Sequence, residues 1–111
     1  MVEVLKTADR VYLPYVVLGE LRAGFAGGSR GRKNEAALTM FLGSPRAEAL
    51  FADHQTTHHY ATLFGYLRKK GTPVPTNDLW IAALALQHDL PLVTRDAHFK
   101  KLPQLARIDI A

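Results

Sequence analysis

The sequence contains no cysteine. Disulfides, thiolate nucleophiles and zinc sites built on sulfur are excluded together. It also lacks any apolar run near the roughly 20 residues that a membrane-spanning helix needs. The opening residues Met1-Val2-Glu3-Val4-Leu5-Lys6 hold no long apolar stretch. No secretory leader is therefore expected, and a cytoplasmic location is the simplest expectation. Internal repeats and low-complexity linkers are absent as well. What is present is ordinary for a globular chain: 111 residues, 48% hydrophobic and 22% charged, with a mean hydropathy of −0.05. That length fits one domain. Lys and Arg number 14 against 10 Asp and Glu, a net charge of +4. The excess suits a polyanionic partner, and it equally suits a solvated basic surface.

Gly and Pro divide the chain into short pieces. Val11-Tyr12-Leu13 is β-branched and aromatic and reads as a short buried strand. Pro14 ends it and suits the start of a helix over Tyr15 to Phe25. Gly24, Gly27, Gly28 and Gly31, with Ser29 and Arg30, read as a flexible basic loop. They lack the spacing of a phosphate-binding P-loop, and Ser29 has no His/Asp partner for hydrolase chemistry. A helix follows over about 34–42, with an apolar stripe of Ala37, Leu38, Phe41 and Leu42. Ala49 to Ala52 is a candidate strand. Asp53 opens a long helix over His54 to Lys70, and Gly71 closes it. Thr76 or Asn77 is expected to cap a helix over Asp78 to His88. Leu92-Val93-Thr94 reads as a strand, residues 95–101 as a polar loop, and Arg107 to Ile110 as a last strand. Strands alternating with helices predict an α/β domain with a mainly parallel sheet. Ligands in such sheets sit beyond the carboxyl ends of the strands.

Three carboxylates stand out by position: Glu20, Asp78 and Asp96. Glu20 lies within an apolar helical stretch. Val16, Val17, Ala23 and Gly24, one turn away on either side, supply no cation. Facing water at the edge of the stripe is its plainer role. Asp78 opens a helix, where the macrodipole alone would favour it. Asp96 follows a strand at its carboxyl end, and it could equally be a turn residue beside Lys100. Taken together, carboxylates gathered at one edge repel, and a hard divalent cation such as Mg²⁺ or Mn²⁺ relieves them. Such a cation beside basic loops points to phosphodiester hydrolysis. Arg22, Arg30, Arg32 and Lys33 form the densest basic stretch. It reads as a contact for RNA phosphates or as a solvated loop. His58 and His59 point about 100° apart on a helix and read as surface residues. His98 lies near Asp96 and could reach a substrate, although a packing or surface role is plainer. Tyr60, Phe64 and Trp80 read as core or interface.

Two blocks carry a resemblance. Val11-Tyr12-Leu13-Pro14-Tyr15-Val16-Val17-Leu18-Gly19-Glu20-Leu21-Arg22-Ala23-Gly24 resembles the Glu-bearing helix of PIN-domain proteins. Asn77-Asp78-Leu79-Trp80-Ile81-Ala82-Ala83-Leu84-Ala85, followed by Leu92-Val93-Thr94-Arg95-Asp96-Ala97-His98-Phe99, resembles their second acidic block. The chain is most similar to VapC-type toxins of bacterial toxin–antitoxin pairs, over essentially its whole length. The resemblance implies a PIN-like three-layer sandwich and a Mg²⁺- or Mn²⁺-dependent ribonuclease. Glu20, Asp78 and Asp96 match the family's acidic positions, and Asn77 and Thr94 match supporting polar ones. Arg95 joins the basic residues assigned to RNA. A homodimer and a cognate antitoxin are the implied partners.

One departure is expected to matter. The family opens with a hydrophobic central strand ending in Asp, whereas residues 2–9 here resemble the helix after it. Asp9 precedes the Val11 strand and is not counted as that acid. The expectation is a sheet missing its first central strand, from a late start or a truncated form. Two further readings follow: an impaired remnant acting only in dimerisation or antitoxin binding, and a basic RNA-binding module without metal.

Overall fold

A computed structural model describes residues 3–110. Five strands form one sheet in the order β3-β2-β1-β4-β5. They are β1 (Val4–Lys6), β2 (Val11–Pro14), β3 (Ala47–Leu50), β4 (Leu92–Thr94) and β5 (Arg107–Asp109). Four α-helices flank them: α1 (Tyr15–Ala26), α2 (Gly31–Leu42), α3 (His54–Lys70) and α4 (Thr76–His88). A 3-10 helix, Ala97–Lys101, follows β4 where a loop was expected. Among the described residues no helix is long and apolar enough to cross a membrane.

The position expected to be empty is filled. β1 lies at the centre of the sheet and pairs antiparallel with β2 on one side and β4 on the other. Residues 4–6, expected to be helical, are therefore a strand, and among the described residues no missing strand is evident. The physical reason is pairing. Without β1, two interior strands would face each other across a gap with their peptide groups unsatisfied. Val4 and Leu5 suit a strand, and Leu5 becomes fully buried. The turn that makes this possible is built from Thr7 to Arg10. The Thr7 N–H donates to the Arg10 carbonyl at 2.9 Å, and its Oγ1 accepts from the Asp9 and Arg10 N–H groups.

The sheet is consequently mixed rather than mainly parallel. β2–β3 and β4–β5 are parallel, and both pairings of β1 are antiparallel. β2, β3, β4 and β5 therefore run one way, with β1 alone reversed. The reversal puts Glu3, the residue just before β1, beside the carboxyl ends of β2 and β4. It sends the turn bearing Asp9 to the opposite edge.

The helices bury what the sequence supplies. In α4, Leu79, Ile81, Ala82, Ala83, Leu84 and Ala85 are all buried, as expected of a helix covered on more than one face. α3 packs on it, with Leu63 and Leu67 in the same buried core, and Tyr60 stacks on Trp80 with ring centroids 4.2 Å apart. Asp53 and Thr56 cap α3 reciprocally, which supplies partners for end N–H groups. Gly71 closes it at φ 67°, a backbone that favours glycine. The expected cap of α4 by Thr76 or Asn77 is not formed. The chain enters from Pro75 in an extended conformation and no side chain caps the helix. α2 starts at Gly31, ahead of the expected Asn34, because the Asn34 N–H already bonds the Arg30 carbonyl at 2.9 Å. Arg32 and Lys33 are thus in a helical turn, not a flexible loop. Gly31 is required by close approach: a Cβ there would stand 2.6 Å from the Phe25 carbonyl oxygen.

Candidate metal centre

Asp78 and Asp96 come from distant parts of the chain and meet at one edge of the sheet. Asp78 lies in the first turn of α4. Asp96 follows β4 and is fixed twice. Its N–H donates to Thr94 Oγ1 at 2.8 Å, and its Oδ1 accepts from the His98 N–H at 2.8 Å. The second bond caps the 3-10 helix and turns the His98 ring back toward the acids. His98 Nδ1 then lies 3.1 Å from Asp78 Oδ2 and 3.1 Å from Asp96 Oδ1. One donor atom from each of Asp78, Asp96 and His98 lies within 4.8 Å of the others.

The electrostatics of this edge are those of crowded negative charge. Burial pushes the Asp78 carboxyl above its ordinary pKa, and the charge of Asp96 adds to the rise, while the bond from His98 opposes it. Glu3 behaves alike. Burial raises its carboxyl, the Thr94 hydroxyl opposes, and Asp78 and Asp96 raise it further. Thr94 is fully buried and donates to Glu3 Oε2 at 3.2 Å. A divalent cation fits this donor set: two carboxylates supply hard oxygen ligands, and an imidazole nitrogen stands between them.

Not every candidate from the sequence joins the group. Glu20 is exposed on α1 and is not among the three gathered donors. Asn77 is exposed beside Asp78, and Arg95 is exposed between Thr94 and Asp96. Arg22 is engaged elsewhere: its Nε and Nη2 reach Glu35 Oε1 and Oε2 at 3.0 and 3.1 Å, tying α1 to α2. Arg30, Arg32 and Lys33 line an open groove at the turn between those helices, with Phe25 and Gly28. His98, expected near Asp96 with a packing or surface role as the plainer reading, stands against both acids instead, and Glu3 is the residue of the acidic edge that the sequence does not mark. Glu3 carried no signal, because its place depends on the reversal of β1.

The sequence and the fold both match known proteins. The PIN domain family model matches residues 1–105. Ribonuclease VapC4 of Mycobacterium tuberculosis is 34% identical over 95 residues, covering 86% of this chain and 73% of that relative. The structure of VapBC-1 from nontypeable Haemophilus influenzae superposes with a TM-score of 0.82 at 28% identity, covering 95% of this chain and 78% of the other. VapBC2 from Rickettsia felis, solved bound to a promoter DNA fragment, gives a TM-score of 0.78 at 31% identity, covering 88% of this chain and 73% of the other.

Proposed function

This chain belongs to the PIN domain family, among the VapC ribonuclease toxins of VapBC toxin–antitoxin systems, and we propose that it is itself a Mg²⁺- or Mn²⁺-dependent endoribonuclease, the toxin of such a pair. One observation carries the reading: Asp78 and Asp96, separated in sequence, converge within reach of a single cation beside the buried Thr94. Asp78 and Asp96 would hold that cation, which supplies Lewis acidity toward water and a phosphoryl oxygen when bound. The remaining work falls to the chain. Thr94 fixes the backbone that carries Asp96. His98 orients both carboxylates. Glu20, at the second turn of the helix that follows β2, is the further acid proposed at the rim, and Asn77 supports Asp78. Arg30, Arg32, Lys33 and Arg95 are proposed to hold RNA phosphates, with Arg22 joining them if its pair with Glu35 opens. A cognate antitoxin and a second copy of this chain are the proposed partners.

The test is cleavage of an RNA oligonucleotide with Mg²⁺ or Mn²⁺, with a chelator, and with the Asp96→Asn and Asp78→Asn variants. Cleavage should require the cation and fall by about a hundredfold or more in each variant. Cleavage that survives both chelator and Asp96→Asn defeats the proposal. A second reading draws on the position of Glu20 outside the gathered donors: a chain that only dimerises or binds its antitoxin. Cation-independent inactivity, with a stable antitoxin complex, would favour it.

A further inference from the structure

We propose that Glu3 is an outer carboxylate of the cation site, coupled to it through Thr94, and that it raises the site's affinity for a divalent cation. The inference rests on the nuclease reading above and extends it to a residue outside the three gathered donors.

The argument begins with topology. β1 runs against its neighbours, so its first residues lie at the edge where β4 ends. Val4 pairs with Val93, and continuing that register one step sets Glu3 opposite Thr94. The side chains follow: Thr94 Oγ1 donates to Glu3 Oε2 at 3.2 Å and accepts from the Asp96 N–H at 2.8 Å. One buried hydroxyl thus joins the Glu3 carboxylate to the backbone of Asp96. Orientation of the hydroxyl is settled by the pair, since its single proton goes to Glu3 and a lone pair is left for Asp96. This is how an outer partner holds an inner ligand in place.

Charge makes the second half of the argument. Glu3 is partly buried, and Asp78 and Asp96 both act on it as like charges. A carboxylate in that setting is a cost to the cation-free fold. Its negative field becomes favourable when Asp78 and Asp96 hold a cation. Glu3 works from behind these residues, as a positioning and field-setting group.

The experiment is calorimetric titration of Mn²⁺ into the full chain without RNA, paired with thermal denaturation in chelator. Glu3→Gln keeps an oxygen to accept from Thr94 and nearly the same volume, and it removes the charge. It should bind Mn²⁺ about tenfold more weakly, while its melting temperature in chelator equals or exceeds that of the wild type. Glu3→Asp keeps the charge and should fall between the two, so the test survives if Glu3→Gln folds poorly. Wild-type affinity in Glu3→Gln overturns the assignment, and a lowered melting temperature with unchanged Mn²⁺ affinity overturns it too, leaving Glu3 a purely structural residue. Asp96→Asn separates the two levels. If it loses Mn²⁺ binding while Glu3→Gln does not, the cation site stands and only the role of Glu3 fails. If the wild type binds no Mn²⁺, the cation site itself fails.

Discussion

His98 Nδ1 stands 3.1 Å from Asp78 Oδ2, tying the 3-10 helix after β4 to the first turn of α4. The same nitrogen lies 3.1 Å from Asp96 Oδ1, so the ring separates two carboxylates that would otherwise face each other. His98→Ala removes a bond that holds the Asp78 carboxyl down and leaves the burial and like charge that push it up. The expected outcome is a further rise of the Asp78 pKa, read by carbon-detected NMR titration of its carboxyl. The cation-free protein should lose about 1 kcal/mol, since the ring is half exposed and part of the interaction is screened by water. An Asp78 titration that does not move would mean that the ring does not hold the carboxylate.

Glu3 and Asp78 set the sign of a pH effect. Both carboxyls have folded pKa values above their ordinary 4.5 and 3.8. Each therefore binds its proton more tightly in the folded state. Their contribution to stability is fully present below those ordinary values and is lost as pH rises through the folded ones. At neutral pH the two charges are a standing cost. Glu3→Gln should accordingly raise the melting temperature of the cation-free protein near about pH 7, and the gain should vanish below about pH 4. Asp53 acts in the opposite sense. Bonds from Gln87 and from the Thr56 N–H hold its carboxyl down, so its contribution fades as pH falls. Comparing Glu3→Gln with wild type at each pH isolates the acidic edge from this background.

Leu63 is fully buried on α3, the helix that packs on α4. Leu63→Ala should cost about 2–5 kcal/mol through lost transfer energy and the cavity left behind. Urea denaturation checks it by a lower midpoint at unchanged slope. The consequence should stop short of the site, although α4 carries Asp78. Mn²⁺ affinity should survive in the folded fraction, since the cavity opens on the side of α4 that meets α3.

Much of this fold is legible in the sequence, for reasons visible at particular residues. Asp53 and Gly71 bracket α3 with a cap and a left-handed stop, and the expected helix has the observed limits, His54–Lys70. Pro91 and the β-branched Val93 and Thr94 delimit β4 as expected. β1 was not legible. Three residues are too few to show a period, and their state is decided by two flanking strands that need a partner. The same holds for the site. Asp78 and Asp96 are marked by local position, a helix start and a strand end. Glu3 is marked only by the antiparallel pairing of β1, which no spacing along the chain encodes. Glu20 shows the converse: its lack of a cation one turn away is equally the signature of an exposed helical face.

The basic residues differ in what they have left to offer RNA. Arg22 is held in a two-pronged pair by Glu35, whose carboxyl it keeps below the ordinary range. Its charge is already matched, and reaching a phosphate would cost that pair. Arg30, Arg32 and Lys33 are exposed around the turn between α1 and α2. Each true contact with a single-stranded phosphate adds about 0.7 to the slope of log affinity against log salt. Using Asp96→Asn to keep the RNA intact, binding of a labelled oligonucleotide is followed by anisotropy across a salt series. Arg32→Ala and Lys33→Ala should each reduce the slope by about 0.7, whereas Arg22→Ala should leave it nearly unchanged. An equal reduction in Arg22→Ala would show that the pair with Glu35 opens when RNA binds. No reduction in any of them would move the RNA path away from the α1–α2 turn, toward Arg95 and the acidic edge.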